Sequence, residues 1–291
     1  MVLEYIVSPS EAKRKPWELA VVSFLFVSFG VLTQMLIPSL QGSVIIFALI
    51  PLIPLFFFIL LRDEAEEEHF DTMKEEIDEW KKVLKELKDE QLSHLSRFAL
   101  LQRFKRIINV HKTMIELFGF VFLGAILAYT FWFSILPQQQ SYDLFYSQLQ
   151  EIRTLRAVIT AQVFSAEKFE FLLTHNVQVL ALMFLFSLLY GIGALYLLLW
   201  NASIIGVILG EKLVQQGMLG VLVGFLSLIP HGIFEITSYL VAALAGGVLS
   251  IAILRSSNKK PFFKYLIEDV AFLTILSLAL LAIGAVVEAY Y

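Results

Sequence analysis

Residues 218–254 read MLGVLVGFLSLIPHGIFEITSYLVAALAGGVLSIAIL, an apolar run that contains one imidazole and one carboxylate. On insertion scales an ionisable side chain at the centre of a bilayer costs roughly 2.5–3.5 kcal/mol, so His231 and Glu235 need polar partners. The two residues are four positions apart and therefore share one face of a helix. They are the first candidates for a functional site, and Pro230 is the expected break between two helices.

Apolar runs of similar length recur along the whole chain. The sequence is 58% hydrophobic and has no cysteine, which excludes disulfides and Cys-based zinc sites. A helix needs about 20 apolar residues to cross about 30 Å of hydrocarbon. The pattern predicts an all-α polytopic membrane protein with about seven spans, of which the fifth is short or broken, and no nucleic-acid partner. The seven runs are 17–37, 43–61, 114–135, 177–200, 218–229, 233–254 and 265–289.

The distribution of Lys and Arg predicts how these spans are oriented. The N-terminal segment has three such residues, the stretch 62–113 has eleven and the stretch 255–264 has four, whereas 137–175 has three in 39 residues. Cytoplasmic loops of membrane proteins are enriched in Lys and Arg. We therefore expect a multi-pass protein of the cell membrane with a cytoplasmic N-terminus and, after seven crossings, an external C-terminus.

This layout divides the chain into three parts. Residues 1–61 are expected to form an N-terminal two-span unit, 62–113 a charged cytoplasmic insert, and 114–291 a five-span membrane domain with an external loop at 137–175. The insert has an acidic arm with heptad spacing followed by a basic arm. That pattern predicts an antiparallel helical hairpin with its tip near residues 89–91. Such a hairpin either packs on itself or binds a partner protein or a second copy.

Small and amide side chains of the last domain indicate how its helices pack. Pro230 suits the first turn of a helix, where its missing N–H is not needed. Asn176 and Asn201 are expected to cap helices or to hydrogen-bond between them, with ligand binding as the alternative. Small residues let membrane helices approach closely. Close packing is therefore predicted at Gly206, Gly210, Gly232, Gly246 and Gly247.

Three interpretations of His231 and Glu235 remain open. They could form a hydrogen bond that locks the helix, a metal or proton site, or part of a pathway through a broken helix of the kind that transporters use. A neutral imidazole and a carboxylate suit Zn²⁺ or another divalent metal, but they supply only two of the four usual ligands. His175, at the expected outer end of the fourth span, is the candidate third ligand.

Several short motifs occur in a fixed order in the last domain. They are Phe169-x-Phe171-Leu172-Leu173-x-His175-Asn176, Gly191-x-Gly193, Trp200-Asn201-x4-Gly206-x3-Gly210, Pro230-His231-Gly232-x2-Glu235 and Gly246-Gly247. As an ordered set they resemble the stage II sporulation protein M (SpoIIM) family over roughly residues 114–291. That family commonly has paired asparagines where this chain has His175-Asn176, and Asn-Gly where it has Asn201-Ala202. The resemblance implies an integral membrane protein; the sporulation member is associated with a membrane complex of cell-wall hydrolases.

These observations favour a non-enzymatic, SpoIIM-like membrane protein that assembles as a homodimer through its glycine-rich spans. Its intramembrane polar cluster would consist of His231 and Glu235 with His175, Asn176 and Asn201 nearby. A transporter or channel component that uses this cluster in its pathway is the main alternative. A membrane metal-dependent hydrolase is the third, although the chain lacks the His-Glu-x-x-His signature.

Overall fold

The computed structural model describes residues 15–37, 44–64, 105, 112–160, 166–188, 194–255 and 260–290, and these residues contain helices and no strand. Apart from residue 105, they form eight helices: α1 (Glu18–Leu36), α2 (Val44–Glu64), α3 (Lys112–Ile135), α4 (Gln138–Leu144), α5 (Tyr146–Thr160), α6 (Ala166–Leu188), α7 (Ala194–Arg255) and α8 (Lys260–Tyr290). The predicted all-α class is confirmed.

Five helices in the described part of the chain are long and apolar enough to cross a membrane. They are Glu18–Leu36, Ile115–Ile135, Lys168–Leu188, Ala194–Ser250 and Ile267–Tyr290, with Val44–Leu55 as a shorter apolar helix. The protein is therefore a multi-pass membrane protein in contact with the lipid bilayer. The count of seven spans and the orientation of the termini stay predictions.

The longest helix, α7, consists of two arms that meet at Gly217. This residue has φ +66° and ψ −158° and is non-helical, a conformation that glycine adopts readily because it has no Cβ. A Cβ built on Gly224 would lie 3.5 Å from Cδ2 of Leu209. In a straight helix those positions would be about 22 Å apart. The chain therefore reverses at Gly217, and the arms 194–216 and 218–255 pack against each other.

The reversal corrects boundaries that the sequence predicted. The helix continues through Pro230, and the interruption is at Gly217 instead. The expected break at Pro230 is therefore wrong, and the runs 218–229 and 233–254 belong to one arm. The described residues of the run 177–200 belong to α6, which ends at Leu188, and to α7, which begins at Ala194.

Helix α3 lies between α1 and the first arm of α7. On one side, Ser23 of α1 donates a hydrogen bond from Oγ to the carbonyl of Val121 at 2.7 Å. On the other side, a Cβ built on Gly206 would lie 2.5 Å from Cβ of Tyr129, and one on Gly210 would lie 2.8 Å from Cβ of Phe133. The close packing predicted at both glycines thus occurs, and it occurs within one chain.

Helices α4 and α5 cover the end of α3 where Phe133 lies. Phe145, at the junction of α4 and α5, is fully buried. Its ring packs edge-on against Tyr129, with ring centroids 6.1 Å apart, and lies 5.7 Å from the ring of Phe133. Aromatic burial therefore fixes the connection between α3 and the segment that follows it.

The charged insert at 62–113 and its expected tip at 89–91 fall almost entirely outside the described residues. The helical hairpin and its partner therefore stay predictions. The same holds for the boundaries 1–61, 62–113 and 114–291 of the three expected parts.

Candidate functional site

Polar side chains from two helices meet at Asn176. Its Nδ2 atom donates a hydrogen bond to Oε1 of Glu235 at 2.6 Å. Its Oδ1 atom accepts a hydrogen bond from the hydroxyl of Tyr239 at 3.1 Å. Asn176 belongs to α6, whereas Glu235 and Tyr239 lie one turn apart on the second arm of α7. One buried amide therefore joins the two helices through both its donor and its acceptor.

Helix α8 adds a second carboxyl group to this cluster. The side chain of Glu288 lies within hydrogen-bonding reach of Glu235. Gly284, one turn earlier, permits the approach, because a Cβ built there would lie 3.2 Å from Cγ of Glu235. Two ionised carboxylates in contact repel each other strongly where water is scarce. The carboxyl pair therefore needs a compensating partner, and the amide of Asn176 donates a hydrogen bond to Glu235.

His231 lies at the edge of the same cluster. Its backbone carbonyl lies near Gly284 of α8, and its Nδ1 atom is buried with no hydrogen-bond partner among the described residues. The imidazole thus retains one free hydrogen-bonding position. We define the polar cluster as Asn176, His231, Glu235, Tyr239 and Glu288.

His175, the expected third metal ligand, is directed elsewhere. Its Nε2 atom lies 3.7 Å from Oε1 of Glu151 on α5, and its ring stacks on Phe171 with centroids 6.2 Å apart. Within the described ranges there is no group of three His, Asp or Glu side chains that could hold a metal ion. The described structure therefore does not bring His175 together with His231 and Glu235, and metal binding stays a prediction.

Comparison with known proteins identifies the family of this chain. The chain matches the family model described as "Stage II sporulation protein M" over residues 23–291. The chain belongs to the SpoIIM family. It is also 30% identical over 125 residues to an uncharacterised protein of Methanocaldococcus jannaschii, an alignment that covers 42% of this chain and 69% of that relative. No solved structure matches it.

The SpoIIM match is longer than the resemblance at 114–291. It begins at residue 23, inside α1. Most of the first apolar segment, the second apolar segment and the charged insert therefore lie within the range of the family match.

The remaining expected residues of this SpoIIM-family chain lie outside the polar cluster. Asn201 donates a hydrogen bond from Nδ2 to the carbonyl of Leu197 on its own helix at 2.8 Å. Gly246 packs on α6, where its Cβ would lie 2.8 Å from Cβ of Ser187, and Gly247 is buried. Gly232 differs, because a Cβ there would meet no neighbouring described atom within 4 Å. Gly232 is therefore not a point of close packing within one chain.

Two members of the cluster, Tyr239 and Glu288, were missed by the sequence interpretation. Tyr239 follows Glu235 by four positions and therefore shares its helix face. Glu288 is the only acidic residue in the stretch 270–291. An isolated carboxyl group beside a long apolar run was the signal that could have identified it.

Proposed function

We propose that this SpoIIM-family protein is a self-associating membrane scaffold in which the polar cluster locks the second arm of α7 against α6 and α8. The hydrogen bonds at Asn176 are the main support for this proposal. The amide donates to Glu235 and accepts from Tyr239, so polar groups of two helices satisfy each other. An unpaired polar group in an apolar environment costs several kcal/mol, and sliding either helix would break both bonds. The cluster therefore holds the helices in one register.

Two side-chain contacts of α5 support the same role. Arg156 of α5 binds Glu211 of α7 through Nη2 and Oε2 at 2.8 Å, and Glu151 of α5 lies beside His175 of α6. Helix α5 is thus attached to both helices that it covers. Such attachments favour a fixed surface over a mobile lid.

The pairing of Glu235 with Glu288 favours a second candidate, a transporter or channel component that moves protons or cations. The free position on His231 beside the pair would suit the exchange of a proton. A metal-dependent hydrolase has less support, because the described residues offer no group of three metal ligands.

The scaffold and the transporter can be distinguished by a substitution that removes one carboxyl group but keeps the shape of the side chain. Glu235→Gln keeps the side-chain volume and the hydrogen bond with Asn176 but removes the titratable group. Glu170→Gln, on an exposed position of α6, is the matched control. Each protein is reconstituted into vesicles that contain a pH-sensitive dye, and its subunit number is measured in lipid nanodiscs.

For a scaffold we expect two copies per particle and no proton flux in the wild type, and the same result for both variants. Proton flux in the wild type and in Glu170→Gln, abolished in Glu235→Gln, would instead establish the transporter. A single copy per nanodisc at every protein concentration would contradict self-association.

A further inference from the structure

The carboxyl groups of Glu235 and Glu288 lie within hydrogen-bonding reach of each other, although each can only accept hydrogen bonds when it is ionised. Asn176 donates from Nδ2 to Oε1 of Glu235 at 2.6 Å, and Tyr239 donates its hydroxyl hydrogen to Oδ1 of the same amide. Neither bond places a hydrogen between the two carboxyl groups. A hydrogen bond between them therefore requires that one of the two is protonated.

The basic residues of the chain leave this contact without a Lys or Arg on α7 or α8 nearby. None occurs in 213–254 or in 265–291. On α6, Lys168 lies eight positions before Asn176, about 12 Å along the helix, and His175 is directed to Glu151 of α5. A proton is therefore the simplest positive charge that these elements can place between the carboxyl groups.

His231 and Tyr239 are the titratable groups that share the helix face of Glu235, one turn before it and one turn after it. The hydroxyl of Tyr239 is occupied by Asn176. A protonated imidazole donates from both of its nitrogens, but Nδ1 of His231 is buried with no hydrogen-bond partner among the described residues. The carboxyl pair is therefore a better place for the proton than the imidazole.

Glu235 and Glu288 differ in how firmly they are held. Glu235 lies in the middle of the second arm of α7, and its Oε1 atom is bonded to Asn176. Glu288 lies in the last turn of α8, which ends at Tyr290. The last turn of a helix has carbonyl groups without intrahelical partners and opens at a low cost in free energy. If both carboxyl groups are ionised, their repulsion therefore displaces the end of α8.

Helix α8 approaches α7 most closely one turn before Glu288. A Cβ built on Gly284 would lie 3.2 Å from Cγ of Glu235 and 3.3 Å from Cβ of Phe234. The neighbouring side chains Leu281 and Ala285 are fully buried. These contacts do not depend on charge, so they hold α8 against its neighbours up to Gly284 and limit the opening to the residues that follow.

We propose that Glu235 and Glu288 share one proton and that this proton holds the last turn of α8 on the second arm of α7. The proposal rests on the scaffold function above, in which the polar cluster locks α7 against α8, and adds its regulation by pH. The docked state binds one proton more than the open state, so acid favours docking and alkali favours opening. The end of α8 is therefore a pH-sensitive latch.

Spin labels on α6 and α8 measure the opening of the latch. The chain has no cysteine, so labels on Tyr290→Cys and Gln178→Cys, both at exposed positions, are the only ones present. Labelled protein is diluted with unlabelled protein, so that distances within one chain are measured, and is studied in lipid nanodiscs. We expect a narrow distance distribution in acid and a longer, broader one in alkali. Ile275→Cys with Gln178→Cys is the control pair and should give one distance throughout, because position 275 precedes Gly284.

Two further variants identify the group that titrates. Glu288→Gln keeps the shape of the side chain, and its amide can donate a hydrogen bond to Glu235 without a proton from solution. The distance between positions 178 and 290 should then stay narrow in acid and in alkali. His231→Gln should retain the response of the wild type, because the proton belongs to the carboxyl pair.

An equal distance in acid and alkali in the wild type would overturn the latch. A response that persists in Glu288→Gln, or one that disappears in His231→Gln, would overturn it as well, because another group would then titrate. The number of copies in the same nanodiscs tests the scaffold separately. Single copies with the expected distances would contradict self-association and support the latch, whereas paired copies with an unchanged distance would support self-association and contradict the latch.

Discussion

The two arms of α7 are similarly apolar, yet the first arm is buried and the start of the second arm is exposed. In the first arm, Leu195, Leu199 and Val207 are fully buried. At the start of the second arm, Met218 is 74% exposed and Leu219 is 71% exposed. Apolar composition therefore predicts that a segment avoids water, but it does not predict which surface covers it. In this molecule the positions of the glycines determine which side of each arm packs closely against another helix.

Glycines act differently in the two arms. Those at 206 and 210 bring the first arm against α3, whereas those at 220 and 224 bring the second arm against the first. On the opposite side, the part of the second arm from 218 to 233 has exposed apolar side chains, whereas the part that follows packs on α6 and α8. Four substitutions test this contrast, and we give them in decreasing order of expected effect.

Gly206→Val should have the largest effect. A Cβ at this position would lie 2.5 Å from Cβ of Tyr129, so the first arm would have to separate from α3. Overpacking of this kind costs about 1–3 kcal/mol or more. We expect a loss of the folded protein, measured as the fraction that elutes as a single peak in detergent. Gly232→Val is the control, because a Cβ at Gly232 would meet no neighbouring described atom within 4 Å. An equal loss of folded protein in both variants would contradict the difference in packing between the two arms.

Asn176→Leu should have the next largest effect. It leaves the carboxyl of Glu235 and the hydroxyl of Tyr239 without their shared partner. A buried polar group that loses its hydrogen bond costs about 1–3 kcal/mol, so the melting temperature in detergent should fall by several degrees. Gln178→Leu, at an exposed position of the same helix, should change it little. Similar melting temperatures for the two variants would show that the cluster does not hold α6 and α7 together.

Gly217→Ala tests the turn itself. The positive φ of Gly217 is unfavourable for a residue with a Cβ and costs about 1–3 kcal/mol. Gly119→Ala is the matched control, because Gly119 is helical and its added Cβ would meet no neighbouring described atom within 4 Å. We expect a lower melting temperature for the first variant and an unchanged or slightly higher one for the second. A stabilised Gly217→Ala protein would imply that α7 is continuous there.

Arg156→Gln should have the smallest effect. The Arg156 side chain is 50% exposed and that of Glu211 is 14% exposed, and surface ion pairs contribute only about 0–1 kcal/mol. The contribution should decrease at high salt, because salt screens exposed charges. A double-mutant cycle with Glu211→Gln, melted at low and high salt, measures it. A coupling that does not change with salt would indicate that the pair is shielded from solvent.

The sequence predicted the membrane class, the family and part of the site for physical reasons. Long apolar runs can only be placed in a bilayer, and an isolated Glu235 in such a run needs a partner. The pairing of Asn176 with Glu235 depends on which faces of α6 and α7 meet, and spacing along one helix does not specify that. Glu288 joins the cluster because Gly284 allows α8 to approach, which is also a property of the packed helices.

Proline and glycine explain the error in the position of the break. Pro230 removes one backbone donor and often kinks a helix, so it was the natural choice for an interruption. Neighbouring helices can accommodate such a proline in a membrane. Gly217 has polar neighbours, Gln215 and Gln216, and polar residues beside a glycine are typical of a turn. The sequence interpretation did not use this turn signal.

The reversal at Gly217 also determines how far α7 extends. A straight helix of 62 residues would extend about 93 Å, roughly three times the hydrocarbon thickness of about 30 Å. Because the chain reverses at Gly217, the second arm turns back along the first, and neither arm is longer than about 57 Å. A single backbone position thereby allows one continuous apolar stretch to pack as two neighbouring helices.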